Sequence, residues 1–144
     1  MTVSKPYSFA IACLICGGLA ALPARAADLD IKITDVRAQQ GSLRVAVIDS
    51  AAGWSDGGKP VAGTVRKAQG AEETFHFPNL PPGRYAVMVM HDQNDNGKLD
   101  SNFMGMPIEG YGFSNNPAVM RKPTFEEARF QLEATGGAIT VRLR

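Results

Sequence analysis

Beyond residue 16 the chain contains no cysteine, and the two it has, Cys13 and Cys16, fall in an N-terminal apolar stretch. A domain built from the remainder holds no disulfide and no thiol nucleophile, even in a compartment that permits disulfides. Histidine is almost as scarce. His76 and His91 are the only two, and without cysteines they are too few for a zinc site. No serine sits in a nucleophile elbow, because Gly112-Phe113-Ser114-Asn115-Asn116 lacks the closing glycine. No Gly-Lys-Ser/Thr occurs, so there is no phosphate loop. Neither sign of charge dominates: 15 Lys and Arg stand against 14 Asp and Glu, with no basic stripe. That balance argues against nucleic acid as a partner and against electrostatic adhesion to anionic lipid.

The one long apolar run, Phe9 to Leu22, is rich in small residues and glycine, and short of the roughly 20 residues of a membrane span. Lys5 precedes it and Ala24-Arg25-Ala26 follows it, so residues 1–26 read as a secretory signal with a small-x-small cleavage site. Neither cysteine has the combination of a small residue just before it and an aliphatic one three before it that lipid anchoring requires. The expectation is an exported protein, periplasmic or extracellular, with no transmembrane segment in the mature chain. Residues 27–144 then form one domain, whose 13 basic and 14 acidic residues leave it close to neutral. A domain of this length buries enough surface to fold without staples.

What is present is alternation. Leu29, Ile31 and Ile33 alternate with polar residues, as do Leu43, Val45 and Val47. Val61 to Val65, Phe75 to Phe77, Tyr85 to Val89, Phe130 to Leu132 and Ile139 to Leu143 repeat the period of two. These are seven strand candidates separated by Gly, Pro, Asn and Asp. Ser50 to Lys59 reads as a polar loop and Phe103 to Thr124 as a long irregular connection, with a capped turn at Thr124-Phe125-Glu126-Glu127. The class expected is all-β, a single antiparallel β-sandwich, with a small closed barrel as the competing solution. Leu80-Pro81-Pro82-Gly83-Arg84-Tyr85 places a tyrosine just after a tight turn, where its hydroxyl can fold back on the upstream backbone and pin the corner between sheets.

The segment that reads as chemistry is His91-Asp92-Gln93-Asn94-Asp95-Asn96-Gly97-Lys98-Leu99-Asp100. Calcium takes six to eight oxygen ligands, and a loop supplies them when alternate side chains curl inward. With Asp92 as position one, Asn94 is three, Asn96 five, Gly97 the sharp turn at six, the Lys98 carbonyl seven and Asp100 nine. Phe103 occupies position twelve, where a bidentate glutamate belongs; Asn102 or Glu109 are candidates to fill the gap. The implied cofactor is Ca2+, held weakly at about 10⁻⁴ to 10⁻³ M. The plain alternative is a turn in which Asn and Asp satisfy their own backbone with no metal.

Two further constellations are open. His91, Asp92 and Glu109 contain the groups of an acid–base pair, although a histidine closing a strand is the simpler reading. Trp54, in a glycine-rich loop, and Tyr111 and Phe113, between polar residues, could form an aromatic platform for an envelope carbohydrate or peptide, or pack back over the core.

The ordered block from Leu80-Pro81-Pro82-Gly83-Arg84-Tyr85, through His91-Asp92 to Asp100, to Gly105-Met106-Pro107-Ile108-Glu109-Gly110-Tyr111-Gly112-Phe113-Ser114-Asn115 and Phe125-Glu126-Glu127-Ala128-Arg129-Phe130, resembles the secreted bacterial family catalogued as domain of unknown function 2141. The likeness spans about Leu29 to Leu143. It implies export, an immunoglobulin-like or prealbumin-like sandwich, and the acidic loop as a family-type motif; it implies no activity, substrate or metal. The sequence therefore points to a non-enzymatic protein.

Overall fold

The structure, a computed structural model, describes residues 26–144; the expected signal segment up to residue 25, with Cys13 and Cys16, lies outside the described residues. Eight strands and two single-turn helices follow in the order β1 (Ala27–Thr34), β2 (Ser42–Ile48), α1 (Ala51–Trp54), β3 (Ala62–Lys67), β4 (Glu73–Leu80), β5 (Gly83–Asp92), β6 (Gly110–Phe113), α2 (Phe125–Ala128), β7 (Phe130–Leu132) and β8 (Gly137–Arg142). They form a three-stranded sheet, β4-β1-β8, and a five-stranded sheet, β3-β2-β5-β6, with β7 on β5. The architecture is an all-β sandwich.

Each expected strand is present, and the alternation does what it implies. In β1, Ala27, Leu29, Ile31 and Ile33 are buried while Asp28, Asp30 and Lys32 face water. The inner faces of the two sheets share one apolar core, including Leu29, Ile31, Leu43, Val45, Val47, Phe75, Val87, Val89 and Val141. The pairings are antiparallel except β1 with β8, which run parallel from Leu29↔Gly137 to Thr34↔Arg142. Tyr85 does pin a corner: its hydroxyl donates to the Pro81 carbonyl at 2.7 Å.

Two segments hold more order than their composition suggests. Ser50 caps α1, accepting from the Gly53 amide at 3.2 Å. Gly110–Phe113 forms β6 on β5, with Met88↔Phe113 and Met90↔Tyr111. Its glycines permit close packing: a Cβ on Gly112 would stand 2.6 Å from the Arg142 carbonyl oxygen. Tyr111 and Arg144 exchange backbone hydrogen bonds at 3.2 and 2.9 Å, joining β6 to the end of the chain. The capping box at Thr124 and Glu127 is complete.

A second apolar cluster lies on the outer face of the five-stranded sheet. Trp54 from α1 and Phe125 and Ala128 from α2 cover Ile48, Ala86 and Phe113. No helix among the described residues is long and apolar enough to cross a membrane.

Candidate metal centre

The acidic loop leaves the end of β5, and the register of that strand decides where its side chains go. Tyr85, Val87, Val89 and His91 face the core, so Asp92 emerges on the opposite side from its neighbour. His91 is buried, with Nε2 2.9 Å from the Gln40 carbonyl. A carbonyl only accepts, so Nε2 carries the proton, and Nδ1 has no partner. The acid–base pair of His91 with Asp92 and Glu109 is therefore not assembled: the histidine closes the end of the core.

Asp92 is fully buried and satisfied on both oxygens. Oδ2 accepts from Arg44 Nε and from the Gly97 amide, each at 2.8 Å. Oδ1 accepts from the Asn96 amide at 3.0 Å. Burial alone would push this carboxyl up; the Arg44 guanidinium and the two amides outweigh it and hold Asp92 below the usual carboxylate range. Arg44 reaches it because Ser42 pairs with Asp92 and Arg44 with Met90, placing both side chains on one face.

The loop turns through Asp95 at φ 58° and Gly97 at φ 81°, the left-handed region that Asx and glycine tolerate. Two of the expected ligands, Asn94 and Asn96, meet at a third, Asp100. Asn94 Nδ2 donates to Asp100 Oδ2 at 2.6 Å, and Asn96 Nδ2 donates to both Asp100 oxygens at 3.0 and 2.9 Å. The amide oxygens turn to the backbone: Asn94 Oδ1 accepts from Asn96 N at 3.1 Å and Asn96 Oδ1 from Lys98 N at 2.8 Å. Asp92 meets this group through the Asn96 amide rather than side chain to side chain.

The two residues considered for position twelve are engaged elsewhere. Glu109 is buried, its Oε1 accepting from Gln93 N at 2.8 Å and its Oε2 from Asp100 N at 2.9 Å. It clasps the two ends of the loop. Asn102 Oδ1 accepts from Met104 N and Met106 N at 2.9 and 3.0 Å, and builds the next turn. Among the described residues no group of three or more His, Cys, Asp or Glu side chains could hold an ion. A cation at this loop would depend on the asparagine oxygens and the Lys98 carbonyl beside Asp92 and Asp100.

The aromatic platform is not exposed. Trp54 and Phe113 are buried, 5.8 Å apart between ring centres, and Trp54 Nε1 donates to the Pro123 carbonyl at 2.7 Å. Only Tyr111 is half-exposed, 5.9 Å from Phe113 and beneath the Arg144 guanidinium. The β6 register sends Tyr111 and Phe113 to the outer sheet face, where Trp54 of α1 and Phe125 of α2 pack over Phe113.

Sequence reasoning passed over the partners that brace the loop from the sheet. Asp95 pairs with Lys67 and accepts from Ser42 Oγ at 2.5 Å, and the Lys67 and Ser42 hydrogen bonds lower its pKa. Beside Arg44, an open depression of about 530 Å³ crosses the outer sheet face, lined by Ala46, Gly63, Val65, Met88 and Met90. Only the strand register brings these residues together.

Fold and loop together define a small two-sheet β-sandwich with one clasped acidic loop at the end of its central strand. Residues 31–140 match a bacterial family described as uncharacterized protein conserved in bacteria, domain of unknown function 2141, and the chain belongs to that family. Neither curated proteins nor solved structures yield a match.

Proposed function

We propose that this is an exported, non-enzymatic protein, in the periplasm or outside the cell, whose loop from Asp92 to Asp100 takes up one calcium ion as a structural brace. The observation that carries the reading is the meeting of Asn94 and Asn96 on Asp100. A half-turn of each amide about its last torsion replaces the donor nitrogen by the acceptor oxygen, at the cost of the hydrogen bonds those oxygens accept from Asn96 N and Lys98 N. Two amide oxygens and a carboxylate would then face one centre, with the Lys98 carbonyl and Asp92 as the further candidate ligands. The Arg44 charge opposes an incoming cation, so affinity is weak, about 10⁻⁴ to 10⁻³ M. Bound calcium would stiffen the segment from Asp92 to Phe103.

Thermal melting tests this. An ion held at a Kd of about 1 mM and supplied at ten times that concentration adds roughly 1.4 kcal/mol, which raises Tm by roughly 4–7 °C in a domain of this size. Asp100→Ala should abolish the rise. A melting temperature that calcium leaves unchanged overturns the reading.

A second reading, a metal-independent module for an envelope peptide, draws on a different observation. The depression over Ala46, Gly63, Val65 and Met90 lies beside β3, the edge strand of its sheet. An extended peptide added to that edge would set alternate side chains into the depression. Binding of an apolar extended peptide that survives chelation and is lost in Val65→Pro supports it. No binding by any member of an apolar peptide panel sinks it.

A further inference from the structure

The turn after the acidic loop exposes four large apolar side chains in one short stretch. Phe103 is 98% exposed, Met104 72%, Met106 51% and Ile108 59%. Such exposure is ordinary in a slack loop, but this loop is tightly made. Ser101 bridges to Pro107. The Asn102 amide donates to the Met106 carbonyl at 2.8 Å and the Gly105 amide to the Asn102 carbonyl at 2.9 Å. Met104 and Met106 amides share Asn102 Oδ1, and the Ile108 amide reaches the Asp100 carbonyl at 2.9 Å. Glu109 fixes the base. The result is a rigid finger that holds its apolar side chains away from the protein.

We propose that this finger, residues 101–108, is a bilayer-docking element that inserts Phe103 and its neighbours into the acyl boundary of a membrane. Three features select lipid over a protein partner. The exposed apolar side chains of Phe103, Met104, Met106 and Ile108 carry no hydrogen-bonding handle, whereas protein hot spots favour Trp, Tyr and Arg. The amides of Asn102, Met104, Gly105, Met106 and Ile108 have internal acceptors and Pro107 has no amide hydrogen, which lowers the cost of entering the headgroup–acyl boundary; the Phe103 amide is left to the oxygens and water of the headgroup layer there. The tip is a convex finger that needs no complementary pocket. Met120, 90% exposed, lines a shallow hollow with Leu99, Pro107 and Tyr111 and adds apolar surface; Arg121 and Lys122 line the same hollow, but their charges are paired with Glu127 and Asp56. The chain's near-neutral charge makes this attachment one of apolar burial, insensitive to headgroup charge and salt. It does not depend on the calcium reading.

The test uses residues 26–144, within which both sheets and both apolar clusters are complete. The protein is sedimented with phosphatidylcholine vesicles, alone and mixed with phosphatidylglycerol, in chelator and at low and high salt. Expected is binding to both vesicle types that salt does not weaken, and a loss of about tenfold or more in Phe103→Ser/Met104→Ser at unchanged Tm. As a second readout, Phe103→Trp should gain a blue-shifted emission on vesicles. Failure of the unaltered protein to sediment at millimolar lipid overturns the proposal, as does equal sedimentation of the double variant. Finger-dependent self-association without vesicle binding overturns it in favour of a contact between copies.

Discussion

Arg44 Nε lies 2.8 Å from Asp92 Oδ2, and the carboxylate is wholly buried while the arginine is only partly so. The residue that opens the acidic loop is thus neutralised from β2 before any ion arrives. Arg44→Met should lower stability by about 1.5–3 kcal/mol, the worth of a hydrogen bond to a charged group, because the Asp92 charge stays buried with only its two amides. The same change removes a cation from beside the proposed calcium position. Calcium affinity should therefore rise about tenfold even as the metal-free protein weakens. Calorimetric titration of the variant beside the unaltered protein measures both; equal affinities would place the ion elsewhere.

Glu109 holds Gln93 N with one oxygen and Asp100 N with the other. Glu109→Gln keeps one acceptor and converts the other to a donor facing a donor. The loop base should open at one end, at a cost of about 1–3 kcal/mol. Amide hydrogen exchange at Gln93 or Asp100 should accelerate while exchange in β1 changes only in proportion to global stability. Uniform acceleration across the domain would contradict a local clasp.

Much of this fold is legible in the sequence because a buried sheet face writes its period into the chain. The alternation in β1 and β5 locates the core side residue by residue. The β6 strand is not legible because Gly110-Tyr111-Gly112-Phe113 has a composition that reads as turn; Gly112 is there for close approach to the strand end at Arg142. The site was legible as an ordered set of oxygens but not as a geometry. Asp95, at an off-pattern position, turns to Ser42 and Lys67, and Asn102 and Glu109 spend their oxygens on backbone amides. Those partners lie up to 53 residues away, across a register that local spacing does not encode. Of the two placements open for Trp54 and Phe113, the structure shows the covered one; a ring beside glycines looks exposed until the helical turns that cover it are in position.

Gly41, at φ 68°, backs the start of the loop, and a Cβ there would overlap the Asp92 carbonyl oxygen and stand 2.5 Å from Gln93 Cα. Both neighbours are backbone, so they cannot swing aside. Gly41→Ala combines left-handed strain with overlap and should cost about 2–4 kcal/mol. Chemical denaturation measures it. Gly57→Ala, also at positive φ but with open space around it, should cost only about 1 kcal/mol. Equal losses at the two sites would remove the case for close packing behind the loop.

Acid should weaken the α2 anchor. Arg121 holds Glu127 through two hydrogen bonds at 2.7 and 2.8 Å, and the Thr124 amide adds a third at 2.7 Å. Together they lower the Glu127 carboxyl from 4.5 to about 2, the Arg121 bond being the largest cause. A folded pKa below the unfolded one means that this carboxylate stabilises the fold above about pH 4.5 and that the gain is lost as pH falls toward 2. Asp92 and Asp95, also lowered, act in the same direction. His76 acts oppositely: its hydrogen bond to Asp30 raises it, so its contribution is full below pH 6.5 and fades as pH rises above that value. Melting temperatures measured from pH 7 down to 2 should fall less steeply in Glu127→Gln than in the unaltered protein, with the curves converging at the acid end. Parallel curves would mean that Glu127 titrates alike in the folded and unfolded chains.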